Sequence, residues 1–159
     1  MGLAAVFLST IDRQLDGKRR IVLPAEFRAA VGPLDTLFCF PSIEADCLEG
    51  GGPDLLKTYD ALIDELPFGD PLRTAIETSV RGGFARLAWD PAGRVTLPET
   101  HCQQFGLTDW VSVVGMGDRF QIWSKEAFAA HRESQRLFAR EQLAALRLSQ
   151  RPGPLAAAS

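Results

Sequence analysis

Two stretches of the chain repeat one another at a fixed distance. Residues 16–24 read DGKRRIVLP and residues 90–98 read DPAGRVTLP. Asp16 and Asp90, Arg20 and Arg94, and the Leu-Pro pairs ending at Pro24 and Pro98 stand 74 positions apart (94 less 20, 98 less 24). This repeat constrains the fold more than any single motif, because a unit too small to bury its own core completes it with its copy. The flanks repeat as well. VFLSTIDRQL precedes the first copy and GFARLAW the second, and both read as strands. Each copy runs into Arg-(Ile/Val)-x-Leu-Pro, whose alternation suits a half-buried strand. Pro24 and Pro98 then sit where the first turn of a helix accepts proline, and the short helices AEFRAAVG and ETHCQQFG close on Gly32 and Gly106. A second hairpin follows in each copy. TLFCFPSIEADCLE turns at Pro41-Ser42, and WVSVVGMGDRFQIWS turns at Gly115 to Asp118.

Between the copies the period changes to that of helices. PDLLKTYDALIDEL places Leu55, Tyr59, Leu62, Ile63 and Leu66 on one face. DPLRTAIETSV has Asp70 as its cap and Pro71 at its first position. After the second copy, SKEAFAAHRESQRLFAREQLAALRLSQ is rich in helix formers and opens on Ser124. The start, MGLAAVFLST, lacks a basic n-region and reads as a first strand, not a signal peptide. The expected organisation is a first repeat over 6–52, helices over 53–80, a second repeat over 81–126, a C-terminal helix over 127–150 and a disordered tail over 151–159.

Composition excludes several classes. Of 159 residues, 46% are hydrophobic and 23% charged, as in a soluble globular protein. No apolar run approaches the ~20 residues of a membrane span. Cys39, Cys47 and Cys102 are odd in number and none form C-x-x-C, so buried free thiols in a reducing cytoplasm are expected, without disulfide or zinc. A net charge of −3 argues against general coating of nucleic acid but leaves room for a local basic site. Enzyme readings find no support. His101 lies beside Cys102 in a short helix, where adjacent positions do not face each other. Asp60, Asp64 and Glu65 read as a solvated helix face, and GMGD lacks the third glycine of a dinucleotide motif. No catalytic residue, metal ligand or cofactor is expected.

The basic run DGKRR is the candidate site. Asp16-Gly17 is a strong hairpin-turn signal. The plain reading is a solvated turn whose charges keep the strand ends soluble. The functional one is a β-ribbon tip that enters a DNA groove. Arg20 offers a planar fork for guanine or phosphate, and Lys18 and Arg19 suit phosphate neutralisation. Asp16 either accepts hydrogen bonds that hold the turn or aims Arg20. Arg13 is either a phosphate contact or an exposed strand residue. In the second copy Asp90 and Gly93 shape the turn, Ala92 stands where the first has Lys18, and Arg94 either contacts DNA or forms a structural ion pair. Arg81 and Arg86, placed on the strand entering that turn, are secondary candidates.

Together, the two turns, the Leu-Pro that follows each, the helices between them and the block GMGDRFQIWSKEAF resemble the MraZ family over roughly residues 6–148. The family pattern is Asp-x-Lys-Gly-Arg in the first repeat and Asp-x-x-Gly-Arg in the second. This chain departs once: Arg19 stands at the first glycine. If that position holds a positive φ, Arg19 is strained, or Gly17 takes over in a shifted turn. The resemblance implies an α+β, strand-dominated fold, a double swapped-hairpin (double-split) β-barrel built from two AbrB-like repeats. It also implies a sequence-specific transcriptional regulator. Such a protein represses by occupying double-stranded DNA repeats in the promoter of the division and cell-wall gene cluster that includes its own gene. By the same resemblance the subunits form a ring-shaped homo-oligomer in the cytoplasm, on the nucleoid, with the basic loops facing DNA. The alternative is an oligomeric interaction module whose basic loops bind a protein partner.

Overall fold

The computed structural model describes residues 6–31 and 36–150. The first strand's opening residues 1–5, the glycine expected to close the first helix, Gly32, and the tail 151–159 lie outside the described residues. Within the first repeat the elements run β1 (Thr10–Gln14), β2 (Arg20–Val22), α1 (Ala25–Val31), β3 (Leu37–Pro41) and β4 (Leu48–Gly51). Helices α2 (Pro53–Asp64) and α3 (Pro71–Val80) follow. The second repeat runs β5 (Ala85–Leu87), β6 (Arg94–Thr96), α4 (Glu99–Phe105), β7 (Trp110–Gly115) and β8 (Phe120–Ser124), and α5 spans Lys125–Ser149. The chain is thus mixed α+β, but not dominated by strand as expected: among the described residues the five helices hold more of the chain than the eight strands, α5 alone taking 25 residues.

Strand pairing exchanges partners between the repeats. One antiparallel sheet has the order β1-β7-β8-β4-β3-β5, and β2 pairs with β6 in a separate ribbon. The first strand of each repeat therefore lies against the third strand of the other. Replacing every strand by its counterpart gives the same order read backwards. The registers fix the symmetry. Ile21 faces Val95, its counterpart at offset 74. The first hairpin carries two extra residues: Phe38 faces Gly51 while Ser112 faces Trp123, so the offset past the turn becomes 72 (123 less 51). Glu49 faces Gln121, again its counterpart at that offset. A pseudo-twofold axis passes through both pairs.

The expected closed barrel is not what the backbone ladders form. β1 and β5 end the six-stranded sheet, and β2, β5 and β6 hold three residues each. Such short strands carry no ladder from ribbon to sheet. The turn after β1 closes with Asp16 N–H on the Arg20 carbonyl at 3.1 Å, and pairing stops there.

Ribbon and sheet bury one core between them. Ile21 and Val95 from the ribbon meet Leu37, Leu87, Val111, Val113 and Ile122 from the sheet. Phe7, Phe27 and Phe120 pack with ring centroids 5.1–5.3 Å apart. Each such side chain contributes about 1.5–3 kcal/mol. Gly50 is required by this packing, because a Cβ there would stand 2.4 Å from the Phe120 ring. A second cluster joins Phe40 to Leu55, Tyr59 and Ile63 of α2 and Ile76 and Val80 of α3. Leu62, expected on that face, is 40% exposed. Asp70 Oδ1 accepts from Leu72 N–H at 2.8 Å, capping α3. Gly106 ends α4 at φ 64, whereas Pro98 caps its start instead of entering the first turn. All three cysteines are free and buried.

The chain divides into two compact units, one ending at Lys125 and the other beginning at Glu126. The second unit's helix carries Glu133–Arg136 as an ion pair at 2.9 Å and exposes Leu137, Phe138, Leu143, Leu146 and Leu148.

Candidate nucleic-acid interface

The repeated turns fold alike, atom for atom. In the first, Asp16 Oδ1 accepts from Lys18 N–H at 2.9 Å and Arg20 N–H at 2.8 Å, and Oδ2 accepts from Arg20 Nε at 2.7 Å. In the second, Asp90 Oδ1 accepts from Ala92 N–H at 2.9 Å and Arg94 N–H at 2.8 Å, and Oδ2 from Arg94 Nε at 2.7 Å. The Asp16 and Asp90 carbonyls take the N–H of Arg19 and of Gly93, each at 3.0 Å. Asp16 therefore does both things open to it: it holds the turn and it aims Arg20. Arg94 does form the structural ion pair, and so does Arg20.

This geometry sets the chemistry. The backbone N–H of Arg20, with its guanidinium and the Lys18 N–H, holds the Asp16 carboxyl below its ordinary value of 3.8 against some desolvation. The Arg94 N–H, with its guanidinium and the Ala92 N–H, does the same for Asp90. Both carboxylates stay charged at neutral pH. Each arginine is tied through Nε alone. Among the described residues its terminal nitrogens bond nothing, leaving four N–H donors on the edge suited to guanine or phosphate.

The ribbon brings these forks together. Ile21 and Val95, each 1% exposed, point into the core, so Arg20, Val22, Arg94 and Thr96 share the outer face. Arg20 sits opposite Thr96, and Arg94 opposite Val22, which makes the arginines diagonal neighbours at about 7–8 Å. Val22 and Thr96 are exposed between them. Nothing in the turn motif pointed to Val22 and Thr96. The alternation of RIV and RVT was the signal that could have found them. Lys18 is exposed at the first tip, where the second has Ala92.

Arg19 and Gly93 occupy the left-handed region, at φ 60 and φ 79. Gly17 does not, so the turn is not shifted and Arg19 takes the glycine's conformation itself, at roughly 1–2 kcal/mol. Arg19 Nε donates to the Leu97 carbonyl at 3.2 Å. Arg13, on β1, donates from Nε to the Val22 carbonyl at 2.9 Å, tying that strand to the end of β2. Arg86 is exposed on β5, its guanidinium 5.6 Å from the Phe38 ring. Arg81 is not on the entering strand. It caps α3 and pairs with Asp60 at 3.0 Å and Glu77 at 3.2 Å, because the strand begins only at Ala85.

A buried polar cluster went unread in the sequence. Glu49, fully buried on β4, accepts from Ser42 Oγ at 3.0 Å, Gln121 Nε2 at 2.9 Å and Arg119 Nε at 3.0 Å. Trp123 Nε1 completes it on Gln121 Oε1 at 2.9 Å. Nucleophilic chemistry finds no footing at the one adjacent Cys and His. Burial pushes the Cys102 thiol up, with the Arg19 charge opposing, while His101 Nε2 lies 2.8 Å from the Gly83 carbonyl.

A family model described as "MraZ protein, putative antitoxin-like" matches residues 82–148. The chain is 64% identical over 152 residues to the transcriptional regulator MraZ of Phenylobacterium zucineum, covering 95% of each chain. It is 66% identical over 152 residues to that of Caulobacter vibrioides, covering 95% of this chain and 97% of the relative. The protein of the same name from Hyphomonas neptunium is 37% identical over 132 residues, 82% of this chain and 80% of the relative.

Proposed function

The chain belongs to the MraZ family, and from that premise we propose that it is a transcriptional regulator, not an enzyme, that binds double-stranded DNA through its β2–β6 ribbon. One observation supports the reading most. Two arginines related by the pseudo-twofold axis are each held by a carboxylate through Nε, with their outer nitrogens open on one exposed face. Arg20 is the main reader and Lys18 neutralises phosphate. Arg94 is a second, weaker contact. Asp16 and Asp90 hold the two turns, and Gly93 takes the left-handed φ of the second. The exchange of first strands between repeats fits the swapped-hairpin plan of the AbrB-like class, with repeats over 6–52 and 81–126.

The regulator acts by occupancy, sitting on repeated promoter sites upstream of the division and cell-wall cluster and blocking transcription. A single ribbon binds weakly. A homo-oligomeric ring of identical subunits multiplies modest contacts through effective concentration and reconciles a net charge of −3 with DNA binding. Among the described residues no helix is long and apolar enough to cross a membrane. We place the protein in the cytoplasm, on the nucleoid.

The test is binding to a duplex from the region upstream of its own gene, measured by fluorescence anisotropy across a salt series. Steep weakening with salt, and loss of binding in Arg20→Ala, support the reading. Binding that is flat in salt and indifferent to Arg20 overturns it and favours a protein partner.

A further inference from the structure

Arg19 stands out within the first turn. Lys18 is exposed, but Arg19 is half-buried and turned toward the second repeat. Its own N–H is taken by the Asp16 carbonyl, so it has no backbone donor left for the ribbon. The side chain supplies one instead. Leu97 N–H donates to the Arg19 carbonyl at 2.8 Å, and Arg19 Nε donates back to the Leu97 carbonyl at 3.2 Å. Together these bonds add a rung to the ribbon beyond the Arg20–Thr96 pair.

The symmetry-related position lacks this rung. Gly93 also gives its N–H to its turn, at Asp90, but it has no side chain to replace it. Among the described residues no hydrogen bond joins Gly93 to Leu23, the counterpart of Leu97. A strained left-handed arginine persists only where its surroundings hold it, and here they do. The far end of β2 is tied as well, by Arg13 Nε on the Val22 carbonyl.

We propose that Arg19 is a positioning residue that latches the first turn to the second repeat and so aims Arg20, and is not itself a phosphate anchor. The proposal rests on the DNA-binding reading for its consequence, but the latch is a property of the free protein.

Arg19→Gly and Arg19→Lys separate the two roles. Glycine adopts the required φ without strain, so the turn can still form. Lysine keeps the charge but lacks the Nε–H. A latch predicts that both variants weaken promoter binding about three- to tenfold, with the slope of log affinity against log salt unchanged. It also predicts faster amide hydrogen exchange at Leu97 in both variants without DNA. A phosphate anchor predicts a slope lower by about 0.9 in Arg19→Gly and wild-type affinity in Arg19→Lys; that result overturns the proposal. Unchanged Leu97 exchange overturns it too. If the wild-type protein binds no DNA, the functional reading fails, and Leu97 exchange still decides the latch.

Discussion

The turns at 16–20 and 90–94 share five hydrogen bonds to within 0.3 Å, yet differ at all three central positions: Gly17, Lys18, Arg19 against Pro91, Ala92, Gly93. The shared shape comes from the first and last residues. An aspartate that caps two N–H groups and an arginine that returns to it hold the turn; the third central position is bound only by its left-handed φ, and the other two are left to carry function. The first copy puts charge there; the second does not.

The largest expected effect follows from that inequality. Arg20→Ala should cost about 2–3 kcal/mol of promoter affinity, the loss of a good bidentate contact beside Lys18, and Arg94→Ala about 1 kcal/mol. Parallel anisotropy titrations check it, and equal losses would break the comparison. Next comes the backbone. Gly93→Ala should lower stability by about 1–2 kcal/mol, since alanine is strained at φ 79, whereas Gly17→Ala should stay within about 0.5 kcal/mol. Thermal unfolding distinguishes the two. A smaller gain is expected from Ala92→Lys, which gives the second tip the first tip's lysine. Affinity at low salt should rise and the salt slope should steepen by about 0.9 if that tip meets DNA. An unchanged slope would mean that it does not.

The smallest effect concerns pH. Asp16 and Asp90 titrate below their ordinary 3.8 in the folded turns. Their contribution is therefore present above that value and lost only as pH falls through the lowered one. The Lys18 and Ala92 amide resonances should hold steady from neutral pH to about 4 and shift together below it. One turn opening before the other would show that their hydrogen bonds differ in strength.

Much of this was legible in the sequence because the repeat is local. The order of strand, turn, strand, helix and hairpin, the Asp70 cap and the Gly106 stop each follow from residues within a few positions. What was not legible is long-range. Alternation marks TIDRQ as a strand but cannot say that β7 is its partner. Arg81 reads as a strand residue until Gly82 and Gly83 are seen to delay β5. Glu49 sits in CLEGG with only Ser42 near it in the chain, because Gln121 and Arg119 approach it from another hairpin about 70 residues on. The conformation of Arg19 lay between these cases. The sequence raised strain or a shifted turn as alternatives, and only the dihedral angle separates them.

The Glu49–Gln121 pair has a consequence for the independence of the halves. It sits on the pseudo-twofold axis, where a true homodimer of either half would bring identical residues face to face. Two first halves would oppose two buried carboxylates, with Cys47 at the position that Arg119 holds in the second half (119 less 72). Removing such an ion from water without a partner costs several kcal/mol. Expressed separately, the first half would reject its own kind and select the second. The duplicated chain is in this sense a heterodimer of unlike halves on one polypeptide, and its two basic turns come as an unequal pair in every copy of the chain.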